Sequence, residues 1–442
     1  MNFLKKNFSP IILAISLFLL IYTFYRSEIH WNFIRDENRR DFYSYYYILS
    51  SILIIFSIFS FFISKKIKEY LIIIIISFMI SLYLSEGYLT YKKNNSLDKE
   101  FTLKKKIYKK KTGKKWDTRS RIEIYKDLKK NNSEIKVKVH PTAYFGKNLP
   151  IYPLASISNS ETIHCNENGY YSIYQSDRYG FNNPDTEWDK KYVEYLLVGD
   201  SFTNGACVNQ PNDIASVLRT LSMKSVLNLG MGGNGPLTNY ATLREYLNPN
   251  VKKVFWLHFE GNDIENLKNE LYKKILLNYL NDLNFSQNLK FKQEEINNIH
   301  IDLIDLEEKK LKSSFFNNSL NFIKIYNLRM SLKRKDYKKL QPQTEFNEIL
   351  ELTKKLTNEN NSKLYFVYLP EFDRYKPNYD PTNYNLIKNM VNELNIPFID
   401  VHMEVFEKQD NPFKLFPFEQ EGHYNIEGYK KISESIYKYS QK

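Results

Sequence analysis

Tyr195–Ala206 reads YLLVGDSFTNGA. The apolar run Leu196, Leu197, Val198 is broken at Gly199, Asp200 and Ser201 follow, and a helical pattern resumes at Pro211. The pattern predicts a strand, a tight turn and a helix, with a serine at the strand's carboxyl end. Ligands of open α/β sheets bind in the crevice outside those ends. A serine there also has helix-starting N–H groups beside its hydroxyl, which is half of an oxyanion site. The same position suits an N-capping serine, so the tripeptide does not decide the chemistry by itself.

Outward from this stretch, strand and helix patterns alternate. Strands are expected near Tyr195–Val198, Ser225–Leu229, Lys253–Phe259, Leu364–Leu369 and Pro397–Val401. Helices are expected near Asp213–Met223, Leu237–Leu247, Glu345–Thr357, Asn383–Leu394 and Ile426–Tyr439. Such alternation implies a parallel sheet covered by helices on both faces. The connection from the third strand to the fourth is long. It holds no glycine between Asn262 and Asn360 and carries leucines at helical spacing (Leu267, Leu271, Leu276, Leu277, Leu280). It is expected to be a helical insertion over about 264–345, serving as a lid or substrate-facing subdomain.

Four stretches then end at one edge of the predicted sheet: Ser201; NLGMGGNG (Asn228–Gly235); FEGND (Phe259–Asp263); and EQEGHYNIEGY (Glu419–Tyr429). A serine ester mechanism needs a nucleophile, a base within hydrogen-bond reach and donors aimed at the developing oxyanion. A glycine lets its N–H approach closely, an asparagine donates without titrating, and a histidine exchanges a proton near neutral pH.

Residues 192–442 resemble the SGNH/GDSL hydrolases on these blocks. The resemblance implies a flavodoxin-like three-layer α/β sandwich with a parallel sheet. It implies Ser201 as nucleophile and His423 as base. The oxyanion hole would comprise the Ser201 N–H, Gly233 (Gly232 is the alternative) and Asn262. The family usually has an Asp two or three residues before the histidine, whereas here Gln420 and Glu421 stand there. Glu421 is the expected triad acid, with Glu419 or a Ser–His dyad as alternatives. His258, inside the third strand, reads as a buried histidine. Asp200 and Asp263 read as turn-shaping residues, and Asp400 as part of a loop.

The N-terminal part is different. Asn7–Tyr25, Phe42–Ser64 and Tyr70–Ser85 are uncharged, apolar runs, and a bilayer core needs about 20 apolar residues as helix. Residues 1–91 are therefore expected to form a membrane domain of three spans, with the first run an anchor. A basic linker is expected over 92–135, centred on KKKIYKKKTGKK (Lys104–Lys115), and a small β-rich preface over 136–190, with a hairpin at Asn168-Gly169. The SGNH domain would occupy 191–442.

Lys5, Lys6, Lys65, Lys66 and Lys68 share one side of this arrangement, and Arg26, Arg35, Arg39, Arg40 and the lysines after Tyr91 the other. Counted literally, the positive-inside rule puts the C-terminal part in the cytoplasm, but long domains translocate largely regardless of charge. The reading adopted is a multi-pass protein of the cytoplasmic (inner) membrane with its catalytic domain outside, in the periplasm.

The chain has 63 Lys and Arg against 50 Asp and Glu, a formal charge of +13, which suggests anionic partners. No nucleic-acid-binding motif accompanies the charge. Its two cysteines, Cys165 and Cys207, are too few for a cysteine zinc site. They are either one disulfide, if that part is extracytoplasmic, or two free thiols.

Together these readings lead to an esterase or O-acyltransferase acting on O-acyl esters, with a cell-envelope polysaccharide as substrate. No metal or organic cofactor is needed. A transferase would require a membrane partner that supplies the acyl donor. The competing expectation is a catalytically degenerate SGNH domain that binds glycan or scaffolds polysaccharide biosynthesis.

Overall fold

The computed structural model describes residues 2–29, 39–310, 314–332 and 344–441. The chain divides into two compact units: Met1–Lys99 with Ser313–Asp336, and Glu100–Lys312 with Tyr337–Lys442.

In the first unit, α1 (Asn2–Phe24), α2 (Arg39–Ser60) and α3 (Lys65–Thr112) carry the three apolar runs. Windows at Lys6–Ile29, Tyr43–Ser60 and Lys65–Asn95 are long and apolar enough to cross a membrane. Arg35, one of the residues counted for orientation, lies outside the described residues. α3 does not stop at the end of its apolar run. It continues through residues 92–112, so the first half of the expected linker is helix. The composition explains this: Lys, Leu and Glu favour helix, and neither Gly nor Pro intervenes between Gly87 and Gly113. Gly113, at φ +72°, ends the helix in the left-handed conformation a C-terminal glycine supplies.

The second unit begins with the last turns of α3 and with α4 (Arg121–Leu128), which Ser120 and Glu123 start with a capping box. Three short strands follow: β1 (Ile135–Val137), β2 (Glu161–Ile163) and β3 (Ile173–Gln175). They form a small sheet in which β1 runs parallel to β2 and β3 antiparallel to it. This small sheet precedes the strands of the main one in the chain.

The main sheet comprises β4 (Val193–Val198), β5 (Val226–Asn228), β6 (Val251–Phe259), β7 (Lys363–Leu369) and β8 (Phe398–Asp400). All pairs are parallel and the order is β5-β4-β6-β7-β8. This is the flavodoxin-like 2-1-3-4-5 order, with its switch point between β4 and β6.

Side chains alternate across each strand. Leu196 and Val198 enter one core with Trp256 and Phe366. Tyr195 and Leu197 enter the other with Phe255 and Leu257. Both faces are covered, which is why the strands read as continuous apolar runs. On the first face pack α7 (Pro236–Tyr246), α13 (Thr344–Glu359) and α14 (Thr382–Glu393), through Leu237, Phe346 and Ile387. On the second pack α6 (Ile214–Ser222) and α15 (Ile426–Ser440), through Ile214, Leu218, Ile432 and Ile436. The single turn α5 (Ser201–Asn204) follows β4.

The insertion between β6 and β7 holds α8 (Asp263–Glu270), α9 (Lys274–Asn281), α10 (Gln293–Lys310), α11 (Ser314–Ile323) and α12 (Tyr326–Leu332) before α13. It is helical, as expected, but it is not one subdomain. α8 to α10 belong to the second unit, whereas residues 313–336 group with the N-terminal helices.

Candidate active site

The turn after β4 is built by exclusion. A Cβ at Gly199 would lie 2.1 Å from Thr203 Oγ1 and 2.6 Å from the Leu257 carbonyl, so no side chain fits there. Asp200 caps α5, its carboxylate accepting from the Phe202 N–H at 2.9 Å. Burial, with Asp263 close by, pushes the Asp200 carboxyl up to about 7. Ser201 thus stands at the head of α5, at the carboxyl end of β4.

His423 reaches it from the C-terminal loop. Its placement follows from the residues after it: the Tyr424 hydroxyl donates to the Pro370 carbonyl at 2.7 Å. Asn425 caps α15, its side chain accepting from the Gly428 N–H at 2.9 Å. His423 Nε2 lies 2.8 Å from Ser201 Oγ.

The other ring nitrogen does not meet Glu421. Nδ1 lies 2.9 Å from Glu167 Oε1, and the His423 backbone N–H donates to Glu167 Oε2 at 2.7 Å. One carboxylate therefore holds both the ring and the main chain of the histidine. Glu421, the expected acid, is exposed; it lines the cleft, and its carbonyl accepts from Lys104 Nζ at 3.2 Å. Glu419 is also exposed and accepts from Asn411 at 3.1 Å. Asp400 is engaged with Tyr384 and, at 3.2 Å, with Lys388.

The reason lies in Gly422. A Cβ there would come within 2.7 Å of Glu167 Oε2. The missing side chain opens a path along which a carboxylate from another segment approaches the His423 main chain.

Glu167 sits at the tip of the β2–β3 hairpin, and the sequence already marked that tip by Asn168-Gly169. The loop is tied down on several sides. Cys165 is disulfide-bonded to Cys207, beyond α5, and the Asn168 amide donates to the Cys207 carbonyl at 2.8 Å. Asn166 donates to the Asp117 carbonyl at 2.8 Å, and the Asp117 N–H to the Gly169 carbonyl at 2.9 Å. Gly169, at φ +90°, has the Tyr108 ring where a Cβ would be, 2.4 Å away. Read together, the hairpin signal and the cysteine on each side would have pointed to Glu167. Read separately, they did not.

Electrostatics fit the geometry. Burial disfavours the imidazolium of His423, but the charge and hydrogen bond of Glu167 outweigh it and hold the ring above its ordinary pKa. Burial likewise raises Glu167, and His423 more than offsets it, leaving the carboxylate below its ordinary value.

Asn262 precedes α8, makes no capping bond, and lines a cleft of about 380 Å³ with Ser201, Phe202, Phe259, Gly422 and His423. Gly233 is not among the residues lining that cleft. It sits at φ +78° in the turn after β5, where a Cβ would meet Thr142 at 2.8 Å; one at Gly232 would meet the His140 ring at 2.3 Å. The structure thus brings together Ser201, His423, Asn262 and Glu167, and leaves Gly233 outside the cleft lining. His258 is fully buried, 3.1 Å from Asp263, as a core histidine.

Ligand atoms of Glu167, Cys207 and His423 also lie within 4.8 Å of one another. The Cys207 sulfur is bonded to Cys165, and the other two groups are hydrogen-bonded to each other. The set therefore has the form of a histidine and its acid rather than of a metal centre.

A serine-bearing turn on the first strand of a 2-1-3-4-5 parallel sheet, a Gly-Asn-Asp after the third and a histidine before the last helix now stand at one edge. This is the SGNH/GDSL hydrolase fold. No protein-family model matches the sequence, and no curated protein matches it. Among solved structures the chain is similar to a member of the lipolytic protein G-D-S-L family from Veillonella parvula DSM 2008 (14% identity, TM-score 0.30, covering 55% of this chain and 96% of that one). It is also similar to an acetyl xylan esterase (13%, TM-score 0.30, 56% and 99%). A third is a Corynascus thermopiles carbohydrate esterase family 2 enzyme plus carbohydrate binding domain (11%, TM-score 0.32, 62% and 73%).

The carboxylate on His423 thus comes from a glutamate in the hairpin that precedes the sheet, and not from a residue beside the histidine. A second network supports the cleft wall. Glu260, from the Gly-Asn-Asp block, is buried and takes two hydrogen bonds from Arg374, at 2.8 and 2.7 Å, and one from the Tyr368 hydroxyl at 2.7 Å. It fixes the segment carrying Glu371, Phe372 and Asp373, all of which line the cleft.

Proposed function

We propose that this protein is a membrane-anchored serine esterase or O-acyltransferase, with Ser201 as nucleophile, His423 as general base and acid, and Glu167 as the acid that orients it. The observation that carries the reading is the unbroken chain from Ser201 Oγ through the imidazole to the Glu167 carboxylate, at 2.8 and 2.9 Å. With Nδ1–H donated to Glu167, Nε2 is the acceptor and takes the serine proton. Oγ then bonds to the ester carbonyl carbon, and the carbonyl oxygen becomes an oxyanion facing the Ser201 N–H and the Asn262 amide. Collapse breaks the ester C–O bond, and the imidazolium returns its proton to the leaving alcohol. Water or an acceptor hydroxyl then cleaves the acyl-serine by the same proton route, which gives hydrolysis or acyl transfer respectively.

The substrate class is an O-acylated carbohydrate of the cell envelope. Three apolar helices support membrane attachment. The Cys165–Cys207 disulfide supports an extracytoplasmic catalytic unit, because such bonds persist in oxidising compartments. With an acid in contact with the histidine, the missing Asp no longer argues for a degenerate binding domain.

The deciding experiment is covalent labelling of the full-length protein by a fluorophosphonate probe. Labelling of Ser201, lost in Ser201→Ala together with at least about a thousandfold of aryl acetate turnover, is the expected result. An unlabelled, folded protein would refute the reading. A thiol reporter at Asn94 should react from outside intact cells, and reaction only after lysis reverses the orientation.

A further inference from the structure

α11 and α12 are reached from the catalytic unit yet pack within the first unit, against α3. The contacts fall on one stripe of α3: Tyr83, Glu86, Thr90 and Lys93, spaced three, four and three residues apart, which is one face of a helix. The Tyr83 hydroxyl donates to the Ile323 carbonyl at 3.1 Å, and its ring lies 5.8 Å from that of Phe322. Glu86 accepts from the Asn327 and Leu328 N–H groups at 3.0 and 2.8 Å and from the Asn327 amide at 3.1 Å. The Asn327 amide also donates to Thr90 Oγ1 at 2.9 Å, and Lys93 Nζ lies 5.9 Å above the Tyr326 ring.

Glu86 is fully buried and lies inside the apolar window Lys65–Asn95. Ionisable groups in such segments are costly and find partners, and here the partners are the first N–H groups of α12. Between the two helices Ile325 adopts φ +44°, a conformation that branched side chains avoid unless their surroundings impose it.

The exposed side chains of this pair are amphipathic: Phe322, Ile323, Tyr326 and Met330 alternate with Asn321, Lys324 and Arg329, and Leu84, Tyr88 and Tyr91 are exposed on the stretch of α3 that the pair contacts.

We propose that α11–α12 is a membrane-interface hairpin, seated on the third span with its apolar side in the lipid bilayer, so that the β6–β7 insertion returns to the membrane. The occupant of that face is lipid. Its contact with the apolar span α3 argues for this, as do its exposed aromatic side chains with Lys324 and Arg329 between them, a mixture that suits the headgroup boundary. The inference rests on α1 to α3 being membrane spans, and the test separates the two.

Full-length protein is placed in phosphatidylethanolamine/phosphatidylglycerol nanodiscs, with the native cysteines left oxidised. Bimane is attached to Ile323→Cys or, mid-span, to Ile75→Cys; both native side chains are exposed, so neither change disturbs packing. Both labels should lose emission to lipids bearing a nitroxide near the headgroup or along the chain, and both should be shielded from aqueous iodide. In a separate variant, Thr90→Cys with Asn327→Cys should cross-link on mild oxidation, with a lower yield when Glu86→Ala is added. Quenching at Ile75 with none at Ile323 overturns the hairpin proposal and leaves the spans standing. Absence of quenching at both sites removes the spans and the proposal together. Failure of the cross-link, in a protein that still labels at Ser201, refutes the seating on α3.

Discussion

Replacing Glu167 by Gln tests the site at its least expected member. The carboxylate takes two donors, the His423 Nδ1–H on Oε1 and the His423 N–H on Oε2. An amide offers one oxygen and one NH2, so it can serve only one of them. If its oxygen keeps the main-chain N–H, the NH2 faces Nδ1 and forces the ring into the tautomer with hydrogen on Nε2, which cannot accept the Ser201 proton. If the oxygen keeps Nδ1–H, the NH2 opposes the backbone N–H and the loop must shift.

Either way the imidazolium formed during reaction loses a charge-assisted hydrogen bond of about 1.5–3 kcal/mol, a factor of roughly 10–150. With the tautomer penalty, the expected loss of kcat/KM is about 10²–10⁴-fold. Aryl acetate hydrolysis by the full-length protein in detergent, followed against pH, measures it. In the wild type, activity should rise through a histidine pKa above 6.5, because Glu167 holds it raised. In Glu167→Gln the residual activity should titrate lower than in the wild type, because burial is then opposed only by the smaller upward pull of Asp200.

Stability should move the opposite way. The raised His423 contributes fully below pH 6.5 and loses that contribution as pH rises through its folded pKa. The lowered Glu167 contributes above pH 4.5 and loses it as pH falls through its folded pKa. The pair should therefore stabilise most between about pH 4.5 and 6.5, on the acid side of the turnover profile. A Glu167→Gln enzyme with normal turnover and an unmoved acid limb, beside a Glu421→Gln enzyme crippled by a hundredfold, would return the role to Glu421.

Asn262→Ala should slow the chemical step by about 10²–10³-fold with little change in KM, the usual cost of one oxyanion donor; stopped-flow acylation separates the two. Cys165→Ala opens a covalent loop with a sequence separation of 42. It should lower unfolding free energy by up to about 4 kcal/mol in the chain-entropy description, and reduction of the wild type by dithiothreitol should cost turnover as the Glu167 loop loosens. Arg374→Ala strands the buried Glu260 carboxylate and should destabilise by about 3–5 kcal/mol in chemical denaturation, with KM raised because Glu371 to Asp373 line the cleft. Full stability in that variant would show that Glu260 is satisfied by its remaining donors, the Tyr368 and Tyr379 hydroxyls and the Glu371 N–H.

The sheet was legible because its strands are buried on both faces: LLV, VLN and VFWLHF are the runs such burial demands, and each strand lies within a few residues of its expected place. That Ser201, His423 and Asn262 would meet at one cleft was legible because each sits within a few residues of an element end, where local sequence decides position. The course of α3 was hidden by its own lysines, which read as linker but favour helix as strongly as leucine does. The division of the insertion was hidden because helical spacing tells that a segment is amphipathic, not which surface it meets. The partner of Glu86 lies about 240 residues away in the chain.

Glu167 escaped for a related reason, and its position has a consequence. It is 256 residues from His423, on a hairpin whose strands are three residues each, and no local pattern encodes so distant a pairing. A triad is defined by geometry, not by chain order: the imidazole needs a carboxylate on Nδ1, and any loop that can be held there will serve. Here the holding is done by the disulfide to Cys207, by the Asn166–Asp117 and Asn168–Cys207 hydrogen bonds, and by the Tyr108 ring over Gly169. The residues from Tyr108 to Asp117 at the end of α3, the β2–β3 hairpin and the C-terminal loop therefore act as one assembly around the histidine. A fragment starting at Tyr192 would keep every strand of the main sheet together with Ser201, Asn262 and His423, and would lack both the acid and the bond that positions it.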